Sequence, residues 1–287
     1  MKTKLMRIAY VLFAAAIVSA CNNNDDDLAI TSGEGQIEFK YAIDGELENV
    51  ETRATSGYKL PDNLIPSAAT LSEKLTLKIT GEYDNPATKE KGDLVQYNNS
   101  WTTLKEYNEA DVKLNQGVYS AELANKPTLD DDGNIAEGEN NPYFKGGVYG
   151  NTLTVTAGLT TDAYVSLALE NCCFTLKVTE WFVKYYSDVE LTISSENNSW
   201  TYNPTSAEFT SPLIFVNADQ RLKLSGKATK QNGVEVEFSE TEISGLLKKE
   251  HHYNIVVDHS TAGGAGLTVT FGDNYTTVNE IEVDLRE

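Results

Sequence analysis

Cys21 is the residue for which the sequence most clearly predicts a chemical modification. Three basic side chains within the first seven residues precede an apolar stretch, which ends at Val18-Ser19-Ala20-Cys21. This pattern is typical of a lipoprotein signal, in which the chain is cleaved before the cysteine and the thiol is acylated, for example with palmitate. We therefore expect residues 1–20 to be a signal peptide and Cys21 to be the lipidation site. Its acyl chains would anchor the protein in outer-membrane lipid.

The segment after Cys21 predicts a tether. Asn22–Asp27 consists of three asparagines followed by three aspartates, which favour an extended, solvated chain. The apolar stretch of the signal is shorter than the roughly 18 residues that a membrane-spanning helix needs. We therefore assign residues 21–34 to the lipidated cysteine and its acidic tether.

Hard oxygen ligands are concentrated after residue 129. Asp130, Asp132 and Asn134 are candidate calcium ligands, because Ca²⁺ prefers carboxylate and amide oxygens. Aspartate beside Gly133 is also typical of a tight surface turn, and this glycine comes too early for an EF-hand loop. The sequence leaves both interpretations open.

The histidines are His251, His252 and His259, with Glu250 nearby. Adjacent strand residues point to opposite faces, and the spacing of a zinc-binding helix or cysteine pair is missing. We therefore predict no metal site here and interpret the pair as a turn that leads into a strand. The sequence also has no nucleophile elbow, zinc-protease helix or phosphate-binding loop, so we expect neither catalysis nor a cofactor.

Cys172 and Cys173 are the only thiols that remain once the lipidation site is acylated. A disulfide between adjacent residues of a strand would need a distorted peptide. Cys172 shares its parity with Phe174, whereas Cys173 shares the parity of the polar Thr175. We therefore predict a buried Cys172 and an accessible Cys173, and the redox state of the pair stays open.

The composition predicts a folded and strongly acidic protein. Apolar residues make up 40% of the chain, which is enough for a packed core. Removal of the signal peptide takes away three positive charges and moves the formal net charge from −20 to −23. Because such a charge repels phosphate, we exclude nucleic acid as a partner.

Apolar residues recur at every second position along most of the chain, which is the spacing of half-buried strands. One dry and one wet face on each strand predict an all-β fold of antiparallel β-sandwiches. Asn232-Gly233 predicts a hairpin with a type I′ turn. The clearest alternating segments are 75–79, 153–155, 189–193, 234–238, 267–271 and 281–285.

Two positions predict how the chain is divided. The apolar parity changes near Glu170-Asn171, where we expect a bulge or a crossing between sheets. Ala157–Asp162 is the most turn-like break between two blocks of similar size. We therefore predict two domains in tandem, residues 35–160 and residues 161–287.

Several motifs occur in a fixed order behind the predicted lipidation site. In this order the chain resembles Bacteroidetes lipoproteins related to fimbrillins. The resemblance covers most of residues 35–287 and implies that the two domains are transthyretin-like β-sandwiches. The motifs are Leu114-x-x-Gly117-x-Tyr119, Asn141-Pro142-Tyr143-Phe144-x-Gly146, Val155-Thr156-Ala157-Gly158, Tyr253-x-Ile255-x-Val257 and Gly263–Val269.

The resemblance also implies a function. Fimbrillins build the shaft and anchor of fimbriae, which implies a structural or adhesive role at the cell surface with other fimbrial subunits as partners. They are matured by cleavage after an arginine, and the sequence around Arg53 is similar to that site, although an ordinary loop arginine is the alternative. Loss of the first strand would open an apolar groove for a strand from a neighbouring subunit. Ile37, Phe39 and Tyr41 mark the candidate donor strand.

Aromatic residues leave a second function open. Tryptophans and tyrosines are grouped at residues 97–107, 181–186 and 200–202. Sugar rings stack on exposed aromatic faces, so the alternative is a surface lipoprotein that binds a host or other glycan. Aromatic residues also stabilise sheets from within. Two coplanar exposed aromatic rings on a sheet face would favour the glycan, and an apolar groove filled by residues 35–43 would favour assembly.

Overall fold

The computed structural model describes residues 33–43, 46–49, 58–59, 72–88, 92–259, 266–273 and 276–286. Most of these residues lie in strands, which confirms the predicted all-β class. The transthyretin-like assignment stays a prediction. Cys21 and Arg53 lie outside the described residues. Among the described helices, none has the length and apolar character needed to cross a membrane.

The elements are numbered in chain order. The strands are β1 (Glu34–Ile43), β2 (Glu46–Asn49), β3 (Tyr58–Lys59), β4 (Leu75–Asp84), β5 (Leu94–Trp101), β6 (Leu114–Asn115), β7 (Gly117–Asn125), β8 (Gly138–Glu139), β9 (Phe144–Gly147), β10 (Leu153–Val155), β11 (Thr160–Leu169), β12 (Cys172–Val178), β13 (Tyr186–Ser194), β14 (Ser199–Tyr202), β15 (Ile214–Val216), β16 (Lys223–Lys230), β17 (Glu235–Glu242), β18 (His251–His259), β19 (Gly266–Asp273) and β20 (Thr276–Arg286). Two short helices are α1 (Leu104–Glu109) and α2 (Glu180–Tyr185).

The first sheet comes from the N-terminal half of the chain. Its order is β5-β4-β7-β9-β11-β1-β6, and β10 also pairs with β7. Leu75, Leu77 and Ile79 on β4 are buried, whereas Lys78 between them is exposed. The alternation that predicted this strand therefore separates a core face from a solvent face.

The second sheet has the order β14-β13-β16-β17-β20-β19-β18-β12-β15-β8, and β2 pairs with β18 and β3. Most of its pairs are antiparallel, but β12 and β18 are parallel. The last strand, β20, lies between β19 and β17 in this order, so it is an interior strand of the sheet rather than an edge.

Of the two predictions for Glu170-Asn171, a bulge or a crossing between sheets, the structure shows the crossing. β11 belongs to the first sheet and β12 to the second, so the chain changes sheets at Glu170-Asn171. The buried side chains form two apolar clusters that divide near this point. The crossing lies beyond the predicted domain boundary at residue 160, and the division into domains stays a prediction.

The Asn232-Gly233 hairpin is confirmed, but its turn type differs from the prediction. β16 and β17 are antiparallel neighbours, with Gly233 N donating to Lys230 O at 2.8 Å and Lys230 N to Val234 O at 2.8 Å. Gly233 has φ of 84°, whereas Asn232 does not have a positive φ. A type I′ turn needs both, so the loop is the longer form with one left-handed glycine at its end.

The prediction of an accessible Cys173 is wrong. Cys172 and Cys173 are free thiols, and both are fully buried. Cys172 lies in the second apolar cluster, whereas Cys173 lies in the first cluster together with Phe215. The face of β12 that sequence parity assigned to solvent is covered by the other half of the molecule. Burial raises the pKa of both thiols.

A carboxylate ties the two halves together. Glu137 accepts hydrogen bonds from the backbone N of Asn217 at 2.8 Å and from the side chains of Ser195 and Gln220. The neighbouring β8 pairs with β15 of the second sheet. Residues 32–287 accordingly form one compact unit.

Candidate functional site

The first strand occupies a groove in the first sheet. β1 runs parallel to β11, with Ile37 beside Thr161, Phe39 beside Ala163 and Tyr41 beside Val165. A parallel pair cannot be joined by a tight turn, so the two strands come from distant parts of the chain. β1 therefore belongs to a sheet whose other strands all come later in the sequence.

The predicted donor residues face the core. Ile37 and Phe39 are buried, and Tyr41 and Ile43 pack against the same cluster while half-buried. Lys40 points outward and forms an exposed ion pair with an acidic residue of β11. Such exposed pairs contribute little, so apolar packing is the main attraction that holds β1 in the groove.

Tyr107 on α1 covers the groove. Its hydroxyl donates to the carbonyl of Ile37 at 3.1 Å, and its ring makes edge contacts with Phe39 (5.5 Å between centroids) and Trp101 (4.9 Å). Burial raises the pKa of Tyr107 to about 12. Tyr107 was not among the residues that the sequence predicted for the groove.

A local sequence signal for α1 does exist. Thr103 is the N-cap, and its hydroxyl accepts from Glu106 N at 3.0 Å, while the Glu106 carboxylate accepts from Thr102 N at 3.1 Å. This reciprocal pattern resembles a capping box. It fixes a short helix whose buried residues are Leu104 and Tyr107.

The start of β1 is fixed by close backbone contacts. A Cβ on Gly35 would lie 2.4 Å from the carbonyl oxygen of Thr156, so no larger residue fits without movement. Gln36 N donates to Leu159 O at 2.9 Å, and Gln116 N donates to Gly33 O at 2.9 Å. These contacts set the register that delivers the following apolar residues to the core.

The opposite edge of β1 has little cover. Within the described residues, its pairing with β6 involves only Glu34 and Gly35. From Ile37 onwards the described backbone pairing of β1 is with β11 alone. Burial of a side chain such as Ile37 or Phe39 contributes roughly 1.5–3 kcal/mol to the free energy of unfolding. Loss of β1 would remove several such contributions and expose an apolar groove.

The chain leaves this groove directly for the second sheet. β2 pairs in parallel with β18, placing Glu48 beside His251 and Asn49 beside His252, and β3 pairs with β2. Arg53 falls between β2 and β3 in the sequence, outside the described residues. A cut there would separate β1 and β2 covalently from all later strands.

The candidate calcium ligands occupy a surface turn. The Asp130 carboxylate accepts from Asp132 N at 3.0 Å and from Asn134 N at 2.8 Å, and Gly133 takes the positive φ of 83°. These contacts are those of an aspartate-capped turn. No group of three or more acidic, histidine or cysteine side chains in the described part of the chain could hold a metal ion. The calcium site stays a prediction.

The histidine pair starts β18, inside the second sheet. His251 and His252 are both buried, and His252 Nε2 lies 3.1 Å from the hydroxyl of Thr175, which also donates to Asn254 at 3.0 Å. Burial, with a smaller contribution from the charge of Lys177, lowers the pKa of His252 to about 4. The predicted turn is therefore wrong, since these residues already belong to the strand.

The aromatic groups divide into buried and exposed members. Tyr97 and Trp101 pack against the first cluster, and Trp200 packs against the second. By contrast, Trp181 and Tyr185 on α2 are exposed. Most of these side chains thus stabilise the sheets, as aromatic residues in strands commonly do.

These features define a β-rich protein in which β1 contributes side chains to the first apolar cluster of the same chain. Residues 33–287 match a domain of unknown function, DUF4493, so the chain belongs to that family. No curated protein is significantly similar to the chain.

Similar solved structures are Bacteroidetes adhesion and fimbrial proteins, which confirms the resemblance predicted from the motifs. The fimbrial anchor protein Mfa2 from Porphyromonas gingivalis is 11% identical, with 88% of this chain and 100% of that chain covered and a TM-score of 0.34. A fimbrial assembly protein from Parabacteroides distasonis is 12% identical, with 77% and 93% covered and a TM-score of 0.35. A candidate cell adhesion protein from Bacteroides eggerthii is 12% identical, with 89% and 95% covered and a TM-score of 0.37. Similarity at this level does not define the function of this chain.

Proposed function

We propose that this protein is a surface lipoprotein with a fimbria-like, structural or adhesive role, that it has no catalytic activity, and that the β1 groove is its assembly site. The observation that carries the proposal is the position of β1. This strand contributes apolar side chains to the core, yet it pairs along most of its length with one neighbour. A strand held in this way can be replaced by another strand of the same pattern.

Cleavage after Arg53 is the step that would make the replacement possible. An intact chain keeps β1 close to its groove, whereas a cut chain holds it by non-covalent contacts alone. Once β1 leaves, the exposed edge of β11 and the apolar groove attract a strand with apolar residues at every second position. In this proposal the donor is the segment Gly35–Ala42 of a neighbouring subunit, with Ile37 and Phe39. The donor fragment stays attached to its own subunit through the pairing of β2 with β18, and it thereby links the two subunits.

The anchor is Cys21 in the same proposal. Its acyl chains hold the protein in the outer membrane, the acidic tether of residues 21–34 exposes the body at the surface, and residues 35–160 and 161–287 form its two domains.

Cys21→Ala should release the protein from the membrane fraction and leave its fold intact. A variant that still incorporates radioactive palmitate would contradict this assignment.

The assembly step can be tested with purified protein. Limited trypsin treatment that cuts after Arg53 should convert monomers into a ladder of larger species in native gels. Arg53→Ala should remain monomeric under the same treatment and unfold at the same urea concentration as the wild type. A nicked wild type that stays monomeric would contradict assembly through this groove.

A peptide competition sharpens the test. An excess of a synthetic peptide of residues 33–43 should refill the groove and suppress the ladder. The matched control peptide carries serine in place of Ile37, Phe39 and Tyr41, and it should have no effect because it lacks the side chains that fill the core. Equal suppression by both peptides would show that the ladder forms by another route.

A further inference from the structure

Two exposed aromatic rings and a half-buried histidine ring form a stack beside α2. The ring centroids of Trp181 and Tyr185 are 6.2 Å apart, and their planes differ by 24°. His259, at the end of β18, stacks on Tyr185 with centroids 4.0 Å apart and planes that differ by 23°. Trp181 is 54% exposed and Tyr185 is 39% exposed. We name Trp181, Tyr185 and His259 the tip stack.

The tip stack rests on a fixed support. Thr179 caps α2 by accepting from Phe182 N at 3.2 Å, and the fully buried Phe182 holds the helix against the second core. The side chain of Gln231 donates to the carbonyl of Lys184 at the other end of α2. Rings that are already ordered lose little conformational freedom when a ligand binds.

Hydrogen bonds also orient the histidine of the stack. The hydroxyl of Tyr186 lies 3.3 Å from His259 Nδ1, and the backbone N of His259 donates to Asp258 at 2.7 Å. The same Asp258 carboxylate accepts from the N-cap hydroxyl of Thr179. The end of β18 and the start of α2 are thereby joined beneath the exposed rings.

The position of the tip stack suits an adhesive contact. The described chain begins at Gly33, beside the start of β1 and of β11. β11 runs from there to the crossing at Glu170-Asn171, and β12 continues away from the crossing and leads directly into α2. The tip stack therefore lies at the end of the second sheet that is remote from the crossing, whereas the described chain begins in the first sheet.

We infer that the tip stack binds the ring of a neutral sugar, an inference that deepens the adhesive part of the proposed function and rests on it. The C–H face of a pyranose packs on aromatic rings, and its hydroxyls need polar partners at the edge. Lys184 Nζ lies over the Trp181 ring, 4.6 Å from its centre, so its flexible side chain supplies one such partner when it moves from the ring face to the edge. Trp181 is the main contact in this arrangement because it is the most exposed ring of the tip stack.

Charge decides between the classes of occupant. The chain has a formal net charge of −20, so a nucleic acid or an anionic membrane meets repulsion on approach. A neutral sugar meets none. A single cation beside the rings is compatible with hydroxyl groups and does not provide the cluster of basic residues that a polyanionic ligand needs.

The inference can be tested by retention of the full-length lipoprotein, in detergent, on beads that carry starch, mannan, galactan or xylan. The wild type should bind at least one of them. Trp181→Ala should weaken that binding by about tenfold or more, as is common for a central aromatic contact, and Trp181→Phe should retain part of it. The matched control is Tyr149→Ala, which removes a ring that is 91% exposed in the other half of the molecule, and its binding should equal that of the wild type.

Several outcomes would overturn the inference. Retention on none of the four polysaccharides would do so, as would equal retention of Trp181→Ala and wild type. Loss of self-association or of binding to phosphatidylcholine vesicles in Trp181→Ala, without loss of sugar binding, would assign the rings to another occupant. The Arg53 ladder should be unchanged in Trp181→Ala. A failure of sugar binding and a failure of strand donation are therefore distinguishable.

Discussion

Two parallel strand pairs of this molecule differ in how they are enclosed. β1 pairs with β11 on one edge, meets β6 over two residues on the other, and buries only one face. β12 has β18 on one edge and β15 on the other, and its first five residues are buried on both faces. The same pairing geometry thus produces one strand that another strand could replace and one that is locked inside the protein.

The comparison identifies what makes a strand exchangeable. A strand with one covered face and one paired edge loses a limited set of contacts when it leaves, and an equivalent strand can restore them. A strand covered on both faces and paired on both edges leaves only when the whole core opens. The location of β1 and β12 in these two settings is therefore the structural basis for placing assembly at the first sheet.

The largest expected effect is that of Phe174→Ala on β12. Phe174 is fully buried and contacts Trp200 at 5.4 Å, so its truncation should lower the free energy of unfolding by about 3–5 kcal/mol. Phe39→Ala on β1 should cost about 3 kcal/mol or less, because that site is closer to the surface. Urea unfolding measures both values.

Hydrogen exchange separates the two variants further. Phe39→Ala should speed exchange of β1 amides and leave those of β12 protected, whereas Phe174→Ala should accelerate exchange across the second sheet. Equal acceleration of β1 and β12 in Phe39→Ala would show that the first strand is not an independent unit, and the comparison would then fail.

The second effect concerns the buried polar side chains of β12 and β18, in which Thr175 contacts His252 and Asn254. The folded protein holds the pKa of His252 at about 4, below its ordinary value of 6.5. The unfolded chain therefore binds the proton more readily between these values, so stability falls as the pH is lowered from 6.5 to 4, by roughly 3 kcal/mol in all. Urea unfolding of wild type and His252→Gln across this range measures the difference. A parallel loss in both proteins would assign the acid sensitivity to other groups.

The third effect tests the start of β1. Gly35→Ala should lower the free energy of unfolding by about 1–3 kcal/mol, because its Cβ meets the backbone of Thr156. It should also speed ladder formation after the Arg53 cut, since β1 is then held less firmly. Gly245→Ala is the matched control, because its Cβ would meet nothing within 4 Å. Thermal unfolding and native gels measure both, and equal effects at the two glycines would contradict the role of this contact.

The smallest effect is a reactivity rather than a stability. Cys172 and Cys173 should both resist maleimide in the native protein, because burial hides the sulfurs and raises the pKa of both thiols. Both should react at once in denaturant. Mass spectrometry of the labelled protein distinguishes zero, one and two adducts. Rapid labelling of Cys173 alone in the native protein would support the accessible face predicted from sequence parity, and it would contradict the burial of both faces of β12.

Much of the fold follows from local pattern. Alternation at Leu75, Leu77 and Ile79 identified β4, and the change of parity located the bulge or crossing near Glu170-Asn171 that the structure shows to be a crossing. These features were predictable because the two faces of one strand meet different environments within a few residues. The aromatic groups were also visible in the sequence, although their burial was not.

Other features depended on partners far along the chain. Tyr107 reaches β1 across 70 positions, and Glu137 binds groups about 60 to 80 positions away. His259 joins the tip stack from the end of β18, more than 70 positions after Tyr185. No local spacing predicts such pairs, because the sheet order that brings them together is itself a product of packing.

Local pattern was enough to predict the all-β class, the positions of most strands and a bulge or a crossing near Glu170-Asn171, because a strand's alternation is a property of neighbouring residues. The burial of Cys173, the position of His252 inside a sheet and the place of β1 in the first apolar cluster could be seen only in the folded molecule. Each of these facts depends on what covers the second face or edge of a strand. That cover comes from segments distant in sequence, and the packing of the whole chain selects it.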